Sequence, residues 1–431
     1  MSLAFALCLV AVFGLAAIGT PIGYALLIAA TVYLAVDGAD LALAAEQLIQ
    51  SIYDGYTLLA VPLFIIAANI MNAGTISERL LNFCVAVVGR FRGGMGHVNI
   101  LSSLIFSGMS GSAVADAAGI GKIITEMMIK TGHYSRGYAA AVTAASATIG
   151  PIIPPSIPMV MYALISNQSI GYLFLAGIAP GLLMGGVLMA MNWFIAWRRK
   201  IPVEAATPLR DAPGITIRAF PALMMPVILL SGIYGGATTP TEAAAIAALY
   251  ALLLAVGFYR SLRLREFYRV VVDSARQSAT VGIVIGCALI FNYIVATERI
   301  PQMLSAYMAD LNISPLMFLL AMNVMILFLG ALLDATTIIL VILPLFVPTA
   351  QVLGIDLIHF GVVMVVNAMI GLITPPYGML LFVINAVTGI PLRDIIVNTL
   401  PFLAALLIAL LLLTIFPEIS LTIPRYFGYH G

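Results

Sequence analysis

The chain has 431 residues, 62% apolar and 9% charged, with a formal net charge of +1. Soluble domains carry about 25% charged residues, so water is excluded as the solvent for most of this surface. The charge balance argues neither for nor against nucleic acid, but membrane-buried spans leave little surface for it, and no such partner is expected.

Stretches without Asp, Glu, Lys or Arg set the class. They run from Met1 to Val36, Gly55 to Ala73, Gly137 to Trp197, Gln277 to Thr297, Leu311 to Leu333, Phe360 to Leu392 and Ile395 to Pro417. About 20 apolar residues cross a bilayer as a helix, so length arithmetic gives about ten to twelve crossings. The runs lack the alternation of a membrane strand, which makes the chain an all-α integral membrane protein. The first run is too long and unbroken for a cleaved signal peptide. Cys8, Cys84 and Cys287 lie far apart inside apolar runs and read as small core residues.

In chain order, 76–92 reads as an amphipathic, interfacial segment. A glycine-flanked stretch follows, Ser107-Gly108-Met109-Ser110-Gly111-Ser112, leading to Asp116. Residues about 98–130 are predicted to form a hairpin that enters the membrane without crossing it. Pro154-Pro155 then removes two backbone donors and must break a helix at 150–158. Arg198, Arg199, Lys200, Arg210 and Arg218 form one basic loop and Arg260, Arg263, Arg265 and Arg269 another; both are expected in the cytoplasm, with one pass out and one back between them. Thr239-Pro240-Thr241-Glu242 reads as a capping box. Segments 262–277 and 299–311 are amphipathic and read as interfacial helices rather than spans. A second hairpin is expected at about 313–350, carrying Gly330, Asp334, Thr336 and Thr337, and a second broken helix at 371–378, with Pro375-Pro376 and Thr374.

The two halves repeat. Ala-x-Ile-Gly-x-Ile-x-Pro-Pro occurs at 147–155 and again at 368–376, and each is preceded by a glycine-flanked stretch with one acidic residue, 38 residues upstream for Asp116 and 41 for Asp334. Broken helices in matching positions of two halves are the sequence mark of a secondary transporter. Sequence alone does not separate inverted from parallel repeats; inverted is preferred by analogy.

Asp334 is the only charge between Leu311 and Ile355. An ionisable group at membrane depth is costly and points to function, with capping of a half-helix as the alternative. Asp116 has a basic neighbour, Lys122, that could satisfy it. Hard cations want several oxygen ligands, which hydroxyls and unwound backbone supply. The candidate cation ligands are Ser110, Gly111 and Ser112 at the first tip, Gly330, Asp334, Thr336 and Thr337 at the second, and Thr374 beside the second Pro-Pro. Each hydroxyl alone also fits bonding back to its own helix. No catalytic triad, metal spacing or phosphate loop occurs, so an enzyme is not expected.

These residues, together with Leu59-Ala60-Val61-Pro62-Leu63-Phe64, Gly150-Pro151-Ile152-Ile153-Pro154-Pro155-Ser156, Ala237-Thr238-Thr239-Pro240-Thr241-Glu242 and Thr374-Pro375-Pro376-Tyr377-Gly378, resemble the large membrane subunit of tripartite ATP-independent periplasmic (TRAP) transporters of the bacterial inner membrane. The resemblance implies an elevator-type mechanism with Na+ as coupling ion, a separate small four-helix membrane subunit, a periplasmic substrate-binding protein and a carboxylate substrate such as a sialic acid or a C4-dicarboxylate. It implies scaffold helices and an arm in 1–92, a first transport repeat in 93–197, loop, scaffold and arms in 198–310, a second transport repeat in 311–392 and a last span and tail in 393–431. Ser112, Ser156, Asp334 and Thr337 are then the candidate substrate-binding residues. A stand-alone sodium/anion symporter of related architecture is the alternative.

Overall fold

A computed structural model describes residues 2–54, 56–73, 76–203, 208, 210–311 and 313–431, so part of the first basic loop lies outside it. The described residues are helical throughout, with a single β-bridge between Arg92 and Val203.

The first half contains α1 (Leu3–Ala17), α2 (Ile22–Asp37), α3 (Ala42–Asp54), α4 (Ala60–Ala73) and α5 (Ile76–Val88). A hairpin follows, made of α6 (Gly94–Ser110), α7 (Ala113–Asp116) and α8 (Lys122–Lys130), with a π-helical turn at Ala117–Gly121. Next come α9 (Arg136–Ala147), α10 (Ile157–Ser166) and α11 (Ile170–Arg198). The second half opens with α12 (Ala212–Tyr234), α13 (Pro240–Leu252), α14 (Leu264–Thr297) and α15 (Ile300–Asp310). Its hairpin is α16 (Pro315–Gly330), α17 (Ala335–Thr337) and α18 (Leu343–Val352), again with a π-helical turn, at Ile338–Ile342. The chain ends with α19 (Leu357–Gly371), α20 (Met379–Thr388), α21 (Leu392–Ile415) and α22 (Glu418–Tyr426).

Local chemistry sets these boundaries. The Thr239–Glu242 capping box forms: the Thr239 amide donates to Glu242 Oε2 at 2.7 Å and the Glu242 amide to Thr239 Oγ1 at 3.3 Å. Ser135 and Ser314 cap α9 and α16, and Asp356 accepts from the amides of Ile358 and His359 at the start of α19. Both Pro-Pro pairs separate two helices, α9 from α10 and α19 from α20. One expectation is revised. Residues 262–277 are not a separate interfacial helix but the start of the 34-residue α14, because nothing between Leu264 and Thr297 interrupts helical hydrogen bonding.

Among the described residues, six helical runs are long and apolar enough to cross a membrane, one of them the Ala335–Val352 run of the second hairpin, and the number is seven if the bent pair α4 with α5 counts as one span. Shorter apolar helices, including α10, α16, α19 and α20, lie in hairpins or beside breaks. They do not register as single spans because the breaks divide their apolar runs. The chain is a multi-pass membrane protein.

Element order and packing recur between the halves. Helix α2 packs on α14 and α4 on α13; α1 packs on α2 and α12 on α13; each hairpin packs on its own broken helix, α6 on α9 and α16 on α19. In lipid, helices associate through close packing and hydrogen bonds rather than hydrophobic burial. Both kinds are present. Ala139, Ala140, Ala141, Ala144 and Ala145 make α9 a smooth buried rod. Asn99 donates to Thr143 at 2.7 Å and Ser103 to Ser146 at 2.9 Å between α6 and α9. Asn367 donates to the Asn323 carbonyl at 2.9 Å between α19 and α16. Each such bond contributes about 0.6 kcal/mol within a bilayer.

Basic residues gather at one end. The Arg79 guanidinium lies 4.5 Å from the Tyr259 ring centroid, Tyr259 donates to the Arg218 carbonyl, and Arg199 donates to Asn398. By the asymmetry of Lys and Arg, this end is the one expected to face the cytoplasm.

Candidate functional site

Each hairpin tip is built against the Pro-Pro break of its own half. At Gly111 the chain reverses with φ +60°, and a Cβ there would lie 2.5 Å from the Pro155 carbonyl oxygen. Only glycine meets both demands. At the second tip, a Cβ on Gly371 would lie 2.6 Å from Gly330 Cα, so the two backbones touch directly. The Gly378 amide then donates to the Ala331 carbonyl at 3.1 Å, tying the second tip to the unwound segment.

The residue that starts the short helix differs between the tips. Ser112 caps α7, its hydroxyl accepting from the Ala115 amide at 3.4 Å. Asp334 caps α17, accepting from the Thr337 amide at 3.1 Å and from the Thr337 hydroxyl. These caps precede Pro154 and Pro375 by 42 and 41 residues, so Ser112, not Asp116, is the counterpart of Asp334.

The two tips meet at a cavity of about 160 Å³. Gly111, Ser112, Ala113 and Val114 line it from the first hairpin and Asp334, Ala335 and Thr336 from the second. Pro151, Ile157, Pro158 and Met161 come from the first broken helix, Met369, Leu372 and Met379 from the second, and Val281 from α14. Asp334 is the one charged group among these lining residues.

The structure thus brings Gly111, Ser112, Asp334 and Thr336 to one cavity, with Thr337 holding the Asp334 carboxylate. The other candidates lie apart from its lining. The Ser110 hydroxyl donates to Asp116 and accepts from the Ser112 amide at 3.4 Å. Ser156 is fully buried, donates to the Pro151 carbonyl and accepts from the Met159 amide at 3.2 Å, which makes it the cap of α10. The Thr374 hydroxyl donates to the Ile370 carbonyl at 2.9 Å, back along its own helix. Gly330 is taken up by the contact with Gly371.

Asp116 is 2% exposed and lies behind the first tip. One oxygen accepts from Ser110; the other has no partner and faces Gly150, where a Cβ would come within 2.5 Å of it. Lys122 is exposed and makes no ion pair with it, so the suggested Asp116–Lys122 pairing does not form: the π-helical turn between them puts the two side chains on different faces. The apolar lining escaped sequence reasoning. Met161 and Met379 follow the breaks by a few residues and could have been sought there, whereas nothing marks Val281 within the charge-free part of α14 after Arg276.

A family model described as the tripartite ATP-independent periplasmic transporter, DctM component, matches residues 9–419. The chain belongs to this family. It is 41% identical to the sialic acid TRAP transporter large permease protein SiaM of Vibrio cholerae, over 97% of this chain and 98% of that one. It is also 41% identical to the C4-dicarboxylate TRAP transporter large permease protein DctM of Pseudomonas aeruginosa, over 86% and 87%. The crystal structure of the Alcanivorax borkumensis YdaH transporter shares the fold, with a TM-score of 0.64 at 16% identity, covering 86% of this chain and 87% of that one. As a DctM-family permease, the chain is a transport protein of the bacterial inner membrane rather than an enzyme.

Proposed function

We propose that this DctM-family chain is the large permease subunit of a sodium-coupled system that takes up a small organic acid. It works with a small four-helix membrane subunit and a periplasmic substrate-binding protein. The observation that carries this reading is the cavity between the hairpin tips, whose lining offers one carboxylate, hydroxyls and unwound backbone, and no cationic side chain. A substrate carboxylate about 4 Å from Asp334 would be repelled by roughly 4 kcal/mol at an effective dielectric of 20. A cation sharing the site removes that repulsion, so anion and cation must enter together. The polar groups that the two hairpin tips present are all oxygens, which suits a hard ion such as Na+. Relatives named for sialic acid and C4-dicarboxylate transport support the acidic substrate.

An elevator motion fits the same architecture. The hairpins and broken helices pack on one another as a body, and α5 joins that body, through α6, to α12 of the scaffold. The exchanged packing of α2 on α14 and α4 on α13 supports inverted repeats related by a pseudo-twofold axis.

Uptake into proteoliposomes holding both membrane subunits, with the periplasmic protein outside, tests the coupling. Uptake driven by an inward sodium gradient and lost on replacement of sodium by choline is the expected result. Undiminished uptake in choline would overturn it, and uptake by this chain alone would assign it to the stand-alone symporters.

A further inference from the structure

A cleft of about 260 Å³ opens at the cytoplasmic end, far in sequence from the hairpin tips, between the arm α5 and the start of α12. Glu78, Arg79 and Asn82 line it from α5 and Ile215 and Arg218 from α12. Its two guanidiniums are free: the ion pairs among the described residues are Arg276–Asp273 and Arg425–Glu418. Arg79 is held in place all the same. Its guanidinium carbon lies over the Tyr259 ring at 4.5 Å from the centroid, and Tyr259 is fixed by its 2.8 Å hydrogen bond to the Arg218 carbonyl. The Arg79 Nε is buried without a partner. Three elements, α5, α12 and the turn after α13, therefore present two arginine forks around an open space, against the single carboxylate of Glu78.

We propose that this cleft binds the phosphate group of an anionic glycerophospholipid of the cytoplasmic leaflet. Planar guanidiniums match phosphate oxygens two at a time, and a fork already immobilised on an aromatic ring loses little freedom on binding. The neighbouring surface favours a lipid over free phosphate. Ile217 and Phe220, flanking Arg218 in the sequence of α12, and Phe258, next to Tyr259, are 71%, 53% and 65% exposed and offer apolar surface on which acyl chains can lie. The cytoplasmic leaflet carries the anionic lipids that basic residues attract. Because α5 also packs against α6 of the first hairpin, an occupied cleft anchors the root of the arm to the scaffold.

Native mass spectrometry of the full chain in detergent, titrated with dioctanoyl phosphatidylglycerol, reads the site. Arg79→Gln with Arg218→Gln is expected to weaken the tightest-bound lipid by about 10- to 30-fold, at about a kcal/mol for each arginine. Arg265→Gln with Arg269→Gln, on the exposed arm end of α14, is expected to change it less than twofold. Equal losses in the two double variants would show general attraction to the leaflet and overturn the site. Inorganic phosphate is expected to compete only at far higher concentration; competition at equal concentration would make this a free-phosphate site and overturn the lipid assignment. If the glutamine pair fails to fold, Arg79→Lys with Arg218→Lys keeps the charge and removes the forks, and full wild-type affinity there would contradict the proposal.

Discussion

The two hairpins are built alike and charged differently. Each enters, reverses, starts a short helix, passes through a π-helical turn and rests on a Pro-Pro break. In the first, the cap is a neutral hydroxyl, Ser112, and the acid, Asp116, is buried behind the tip. In the second, the cap is itself the acid, Asp334, and it lines the cavity. The two tips share a backbone plan, while one side of the cavity carries a charge and the other does not. On the proposed sodium-coupled reading, the one carboxylate holds the cation and the neutral face meets the anion.

The sharpest way to break this contrast is to neutralise each acid in turn. Asp334→Asn is expected to lower uptake by roughly 100-fold, the loss of about 3 kcal/mol from a charged ligand, with unchanged abundance in the membrane. Asp116→Asn keeps an oxygen for Ser110 and the shape behind the tip, and is expected to stay within about threefold of wild type, on the footing that a neutral donor–acceptor swap costs about 1 kcal/mol or less. If both asparagine variants fail alike in a radiolabelled uptake assay, the acids share a role and the contrast is wrong.

Packing supplies the next test. Gly371→Ala forces a methyl against Gly330 Cα, and is expected to cost about 1–3 kcal/mol in thermal or denaturant melts. An unchanged melt would mean that the second tip is not seated on its break. The smallest effects concern the caps. Ser112→Ala and Ser156→Ala should each cost about 1 kcal/mol of stability, but only Ser112 lines the cavity, so only its loss should also lower uptake. A larger transport defect in Ser156→Ala would restore Ser156 to the site.

Much of this architecture was legible in the sequence because the signals are backbone chemistry. Two prolines in succession must break a helix wherever they stand, and Thr239-Pro240-Thr241-Glu242 forms its box from local bonds alone. The register of the two tips was not legible. Asp116 is the only acidic residue between Gly93 and Thr125, so charge drew it into line with Asp334. What aligns the tips is the capping position, which depends on an extended backbone at Ser112 (φ −136°, ψ 120°) and at Asp334 (φ −75°, ψ 156°) and not on charge. Ser156 and Thr374 were drawn in for their place beside the prolines, yet breaking a helix frees backbone groups that nearby hydroxyls then satisfy. Val281 reaches the cavity from a helix whose apolar run gives no positional cue.

Sodium dependence of initial uptake, measured in parallel for wild type, Asp116→Asn and Asp334→Asn in proteoliposomes with both partners present, tests the central claim most directly. Steep activation by sodium is expected in wild type and Asp116→Asn, and none in Asp334→Asn. Wild-type sodium activation retained in Asp334→Asn would contradict it.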